Sequence, residues 1–118
     1  MKMLIILNDP PYGTERSYNA LRLAKSLTNH NPTIELTLFL LADSVACAKQ
    51  GQKPPTGYYN TEIMLKAVCR GQNNRILLCG SCMDARGLKH EELVEGIVRS
   101  DMETLSSATC EADKVLVF

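Results

Sequence analysis

The sequence predicts a single α/β domain built on a mostly parallel sheet of about five strands with helices on both faces. Three observations point there. The chain has 118 residues, enough for one core that removes roughly 65% of the unfolded surface from water. Short apolar runs alternate with segments of helical period, and parallel strands need such crossovers. The inner strands become apolar on both faces, as a sheet sandwiched between helix layers requires. No linker, repeat or low-complexity tract divides the chain.

Each element has a local reason. Met3-Leu4-Ile5-Ile6-Leu7 is the first strand, and Asn8-Asp9-Pro10-Pro11-Tyr12-Gly13 is its exit loop, because two prolines forbid continuation of a ladder. From Thr14 the period changes. Tyr18, Leu21, Ala24 and Leu27, with Leu23 alongside, mark one helical face that Asn29-His30-Asn31-Pro32 stops. The second strand runs from Ile34 to Ala42, alternating at first and then apolar on both faces. Asp43 or Ser44 is positioned to cap a short helix over Ser44 to Lys49. Gly51 to Gly57 is loop, and Tyr58 to Arg70 resumes helical spacing through Ile63, Met64, Ala67 and Val68. Arg75 to Cys79 is the third strand. Glu91 to Glu95 reads as helix, Gly96-Ile97-Val98 as a short strand, Asp101 to Thr109 as helix and Lys114 to Phe118 as the last strand.

Composition narrows the function. With 13 basic and 13 acidic residues the formal net charge is zero, so no global field draws a nucleic acid or an anionic membrane, and neither is expected as a partner. Five cysteines, an odd number, with no leader segment and no apolar run long enough to span a bilayer, predict a cytoplasmic chain with free thiols. A neutral surface also leaves little electrostatic defence against self-association, and a homo-oligomer is expected.

Ligands of such sheets collect at the carboxyl ends of the strands, near the point where strand order reverses. Three loops leave those ends: residues 8 to 14, 43 to 57 and 79 to 87. The third carries Cys79-x-x-Cys82 just where the apolar run stops. Cys79 is the last residue of its strand and Cys82 lies one turn further on. A thiol there meets unpaired backbone N–H groups that favour the thiolate, and Arg86 would add positive charge. The chemistry open to it is attack on sulfur, in a disulfide or a persulfide donor. Three rival readings stand beside this one. The pair can be two buried small hydrophobes. Structural zinc needs a second close ligand pair, which Cys47, Cys69, Cys110, His30 and His90 do not form, so no metal is expected. A thioredoxin-type CxxC follows the first strand of a differently ordered domain, whereas this one follows the third. Cys47, Cys69 and Cys110 sit in helical stretches as core or interface packing. Neither phosphate-binding glycine motif follows the first strand, and Pro10-Pro11 removes two N–H donors, so no nucleotide cofactor is expected. Asp9, Glu15, Asp43 and Asp84 read as solvated or capping carboxylates, Lys53 as a surface lysine or an anion contact, and Tyr58 and Tyr59 as pocket lining or packing.

Together, Asn8-Asp9-Pro10-Pro11-Tyr12-Gly13 with Asn19-Ala20-Leu21-Arg22-Leu23-Ala24, Phe39-Leu40-Leu41-Ala42-Asp43-Ser44-Val45, Gly51-Gln52-Lys53-Pro54 with Gly57-Tyr58, Leu78-Cys79-x-x-Cys82-x-Asp84-x-Arg86-Gly87 and Ala112-Asp113-Lys114-Val115-Leu116 resemble the DsrE/DsrF-like family, in its YchN-like branch. The resemblance spans nearly the whole chain in motif order. It implies a five-stranded α/β domain over residues 1 to 118, assembly into trimers or hexamers, and relatives that carry sulfur as a cysteine persulfide between donor and acceptor proteins. Cys79, seven residues before Arg86-Gly87, fits the position of the working cysteine, and Cys82 fits the branch's second cysteine. Asn8, Tyr12, Asp43, Lys53, Tyr58 and Arg86 are then the candidate substrate-binding residues. The loop at 51 to 58 is expected to approach a neighbouring subunit's cysteine site. Two functions stay open: a sulfur relay protein with no cofactor, or an oligomeric ligand-binding or regulatory protein without turnover. A CxxC thiol-disulfide protein is the further alternative.

Overall fold

A computed structural model describes all 118 residues. Five strands form one parallel sheet: β1 (Lys2–Leu7), β2 (Glu35–Leu40), β3 (Asn74–Cys79), β4 (Val98–Ser100) and β5 (Lys114–Val117), in the order β4-β3-β2-β1-β5. Four α-helices connect them: α1 (Arg16–His30), α2 (Thr61–Cys69), α3 (Gly80–Ala85) and α4 (Met102–Glu111). The first four strands are laid down in one direction. The last connection then carries the chain back across the sheet through α4, and β5 pairs with the far side of β1.

The pleat divides the core in two. Met3, Ile5, Leu7, Leu36, Leu38 and Leu40 pack with Ala20, Leu21 and Ala24 of α1 and with Leu65 and Val68 of α2. On the opposite face Leu4, Phe39, Leu77 and Cys79 pack with Leu105 and Ala108 of α4. The period-2 alternation of each strand therefore feeds both layers. This is the fold class expected from the sequence.

Several boundaries moved, for local reasons. Helix α2 begins at Thr61 rather than Tyr58, because the Asn60 side chain accepts the Ile63 N–H and caps the helix there. The short helices expected over 44–49 and 91–95 are single 3₁₀ segments, Ala42–Ala48 and His90–Glu92. Neither Asp43 nor Ser44 caps the first of these. Leu41 occupies the cap position, and the Ser44 hydroxyl instead donates to the carbonyls of Leu7 and Leu41. Strand β4 starts at Val98, since Gly96 has φ of 93° and turns the chain before the ladder begins. No helix is long and apolar enough to cross a membrane.

Strand order reverses between β1 and β5, not at β3. At that reversal Asn8 N–H donates to the Phe118 carbonyl at 3.0 Å and the Asn8 side chain reaches the same oxygen, which ties the two strand ends together. The cysteine pair instead occupies the carboxyl edge between β2 and β4.

Candidate functional site

Cys79 ends β3 and stands at the cap position of α3, so the strand delivers its sulfur to the first turn of a helix. The residue is only 6% exposed. Burial pushes its thiol pKa up. Hydrogen bonds from the Ser81 hydroxyl, the Cys82 thiol and the backbone N–H groups of Cys82 and Ser81 outweigh it, and the net direction is down from the ordinary 9.0. The Sγ to Ser81 Oγ distance is 3.3 Å. Cys82 moves the other way: burial and its hydrogen bond to Cys79 hold it protonated above the ordinary value. The Ser81 hydroxyl is the hydrogen-bond partner that geometry gives Cys79, and Cys82 follows it in the same first turn of α3.

The second and third loops meet at Cys82. The Ala42 N–H donates to Cys82 Sγ at 3.3 Å, and Ala42 takes a left-handed conformation, φ 52°, to do so. For a non-glycine residue that conformation costs about 1 kcal/mol. Beside it Arg86 donates to Asp43 Oδ1 at 3.0 Å from Nε and to the Cys82 carbonyl at 3.0 Å from Nη1. Asp43 and Arg86, both candidate substrate-binding residues, thus form a clasp between loops. The field of Arg86 acts on Cys82.

A cation that sequence spacing did not flag shares the opening of the nucleophile. Arg99 of β4 reaches over Gly80 and grips Asp84 with both terminal nitrogens, each at 2.8 Å. Asp84 is the main influence holding the guanidinium charged, and the Cys79 thiolate adds to it. A Cβ at Gly80 would lie 2.6 Å from Arg99 Nε, so the absent side chain is what lets the guanidinium lie there. Arg99, Gly80, Ser81, Ser100, Asp101 and Met102 surround an opening of about 420 Å³ above Cys79. The signal that could have found Arg99 is register. A short strand placed parallel beside β3 pairs Arg99 with Leu78, the residue before Cys79.

The remaining candidates are elsewhere. Tyr12 donates its hydroxyl to Gln52 Oε1 at 2.6 Å and accepts the Thr61 N–H, and with Tyr58 and Tyr59 it forms an aromatic cluster. Lys53 is exposed, and neither it nor any of these three tyrosines lines the Cys79 opening. Cys47 is core, and burial pushes its thiol up to about 12. Cys69 packs at the core margin. Cys110 is exposed on α4 rather than packed within this chain. All five thiols are free.

The model of the DsrE/DsrF-like family matches residues 1–118. Protein YchN of Escherichia coli is 39% identical over 117 residues, covering 99% of this chain and 98% of that one. An uncharacterised protein of Methanocaldococcus jannaschii is 39% identical over 118 residues and is covered along its whole length. The crystal structure of the E. coli YchN protein superposes with a TM-score of 0.92 over 99% of this chain. A protein of unknown function from Methanobacterium thermoautotrophicum, 13% identical, shares the fold with a TM-score of 0.76.

Proposed function

The chain belongs to the DsrE/DsrF-like family, which is associated with sulfur relay, and on that premise we propose that it carries sulfur as a persulfide on Cys79. The observation that carries this reading is the address of Cys79, which ends β3 at the cap position of α3 with the Ser81 hydroxyl 3.3 Å from its sulfur, at an opening that Arg99 also borders. Cys79 is held towards thiolate and Cys82 towards thiol, 79 at the strand end and 82 one turn on. Only the thiolate is nucleophilic, and it attacks best when its pKa lies near ambient pH.

In loading, the Cys79 thiolate attacks the outer sulfur of a donor persulfide. A new S–S bond forms, the donor's own S–S bond breaks, and the donor leaves as a thiolate with the electron pair. In delivery an acceptor thiolate attacks that outer sulfur and Cys79 leaves unchanged. Without an acceptor, Cys82 can attack the inner sulfur of Cys79, closing a Cys79–Cys82 disulfide and expelling hydrosulfide. Cys82 is therefore an auxiliary, resolving thiol, and the pair would also serve a thiol-disulfide exchange role. Arg99, fixed by Asp84 over Gly80, favours the anionic forms of Cys79 through each step.

Delivery kinetics separate relay from redox use. Loaded protein left without acceptor should release hydrosulfide and gain one disulfide, and Cys82→Ser should load normally but keep its persulfide. Hydrosulfide release at an unchanged rate from Cys82→Ser would remove the resolving role. A wild type that forms the disulfide readily while Cys82→Ser never retains an added sulfur would favour the redox reading.

We propose further that the chain works as a homo-oligomer, a trimer or hexamer. Strand β5 is exposed along its whole length, with Val115, Leu116 and Val117 open to solvent at a sheet edge, and such an edge is covered in stable proteins. Val98 of β4 is also exposed, as is Met102 at the start of α4, which lines the Cys79 opening.

A further inference from the structure

All four tyrosines of the chain meet on the face opposite α4, although they come from three separate segments. Tyr18 of α1 stacks on Tyr59 with ring centroids 4.3 Å apart, and Tyr59 stacks on Tyr58 at 4.7 Å. Tyr12 closes the group, 5.4 Å from Tyr59 and 6.0 Å from Tyr58. The ladder is pinned rather than loosely collapsed: the Tyr12 hydroxyl bonds Gln52 and Thr61, and the Tyr59 hydroxyl donates to the Thr14 carbonyl at 3.1 Å. Pinning would be complete with rings hidden, yet Tyr58 is 52% exposed and Ile63 beside it 64%.

The ladder opens into a groove of about 400 Å³ between α1 and α2, within the size range of small-ligand sites. Leu21, Met64 and Ala67 join the rings as its apolar lining. Tyr18, Leu21, Arg22 and Lys25 follow one another at helical spacing, so two cations share a stripe with the ladder. Arg22 lies 5.4 Å from the Tyr18 ring and its hydrogen bond goes to Asn19. Neither Arg22 nor Lys25 has a carboxylate partner, and no acidic residue lines the groove. The carboxylate acting on Tyr59 is Glu15, which precedes α1 and stands about 10 Å and 15 Å, at a rise of 1.5 Å per residue, from Arg22 and Lys25. The groove is thus polarised, with stacked rings at its loop end and positive charge at the other.

We infer that this groove binds a small planar aromatic anion, its ring stacked against the tyrosine ladder and its carboxylate or equivalent group met by Arg22 and Lys25. Stacking on offset rings suits a flat ligand, and an apolar floor strengthens the cationic contact by excluding water. The site is separate from sulfur transfer: Cys79 packs with α4 on the other face of the sheet, and none of the groove residues borders its opening.

The chain has no tryptophan, so its intrinsic emission comes from this cluster alone. Titration of the full chain with naphthalene-2-carboxylate should quench tyrosine emission saturably and shift amide resonances of α1 and α2. Naphthalene-2-carboxamide, which keeps the ring, and cyclohexanecarboxylate, which keeps the charge, should each bind at least about tenfold more weakly, a difference of about 1.4 kcal/mol. Arg22→Gln with Lys25→Gln should cause the same loss while Cys79 alkylation proceeds at the wild-type rate. Equal binding of acid and carboxamide, or unweakened binding to the double variant, would overturn the inference. So would groove resonances that move on dilution without ligand, which would mean that a second copy covers this face.

Discussion

At the scale of single residues, the account turns on which sulfur is anionic. The thiolate fraction of a group rises with pH through its pKa, so a lowered pKa moves its alkylation curve to lower pH. Iodoacetamide labelling of Cys79, followed by peptide mass mapping, should therefore show a midpoint below 9.0, with Cys47 inert over the same range because burial holds it near 12. Ser81→Ala and Cys82→Ala each remove a hydrogen bond to the thiolate and should shift that midpoint upward. An unmoved midpoint in both would mean that the first turn of α3 does not tune the thiol. The cysteine pair and its strand-end address were legible in the sequence, because an apolar run ending at Cys79 before Gly80-Ser81 fixes both. Arg99 was not, since its approach depends on β4 lying beside β3, a pairing that no local spacing encodes. Arg86 looked like the nearer cation for the opposite reason: proximity in sequence along α3 places it on Cys82 and Asp43 instead.

At the scale of elements, two backbone positions hold the site in shape. Ala42 sits at positive φ, so Ala42→Gly relieves strain about as much as it adds unfolded-state entropy, and its stability should stay within about 0.5 kcal/mol of wild type. Ala20→Gly, the same change inside α1 at a fully buried position, should cost about 1 kcal/mol. Urea denaturation midpoints compare the two directly, and equal losses would contradict the left-handed assignment. Gly80→Ala puts a Cβ against the Arg99 guanidinium, the far end of a flexible side chain, so the arginine should swing away and the fold persist. The Cys79 alkylation midpoint should then rise, as it should in Arg99→Gln; a rise in neither would leave Arg99 a purely structural partner of Asp84. Strands β1 to β3 were legible because each is a bounded apolar run. Residues 58 to 60 were misread as helix, since Tyr58 and Tyr59 extend the apolar period while Asn60 supplies the cap that ends it.

At the scale of the whole molecule, the exposed edge at β5 makes assembly part of the account. Val117→Lys adds charge to the most exposed apolar position of β5, 66% exposed, and charge on an edge strand opposes pairing with another copy. Light scattering at micromolar concentration should return a trimer or hexamer mass for the wild type and a smaller species for the variant; a wild-type monomer would remove the assembly proposal. The five-stranded parallel architecture was legible from alternation alone, but the order β4-β3-β2-β1-β5 was not, because nothing local dictates which edge the last strand joins. The claim on which the rest depends is that Cys79 accepts sulfur. Intact mass of the whole chain after incubation with inorganic polysulfide tests it most directly. Cys82→Ser should gain one sulfur atom that a reducing thiol removes, the wild type should pass through the same adduct to the Cys79–Cys82 disulfide with release of hydrosulfide, and Cys79→Ser should gain none while keeping its fold by circular dichroism. A folded Cys79→Ser that still takes up reducible sulfur, or a folded Cys82→Ser that takes up none, would contradict it.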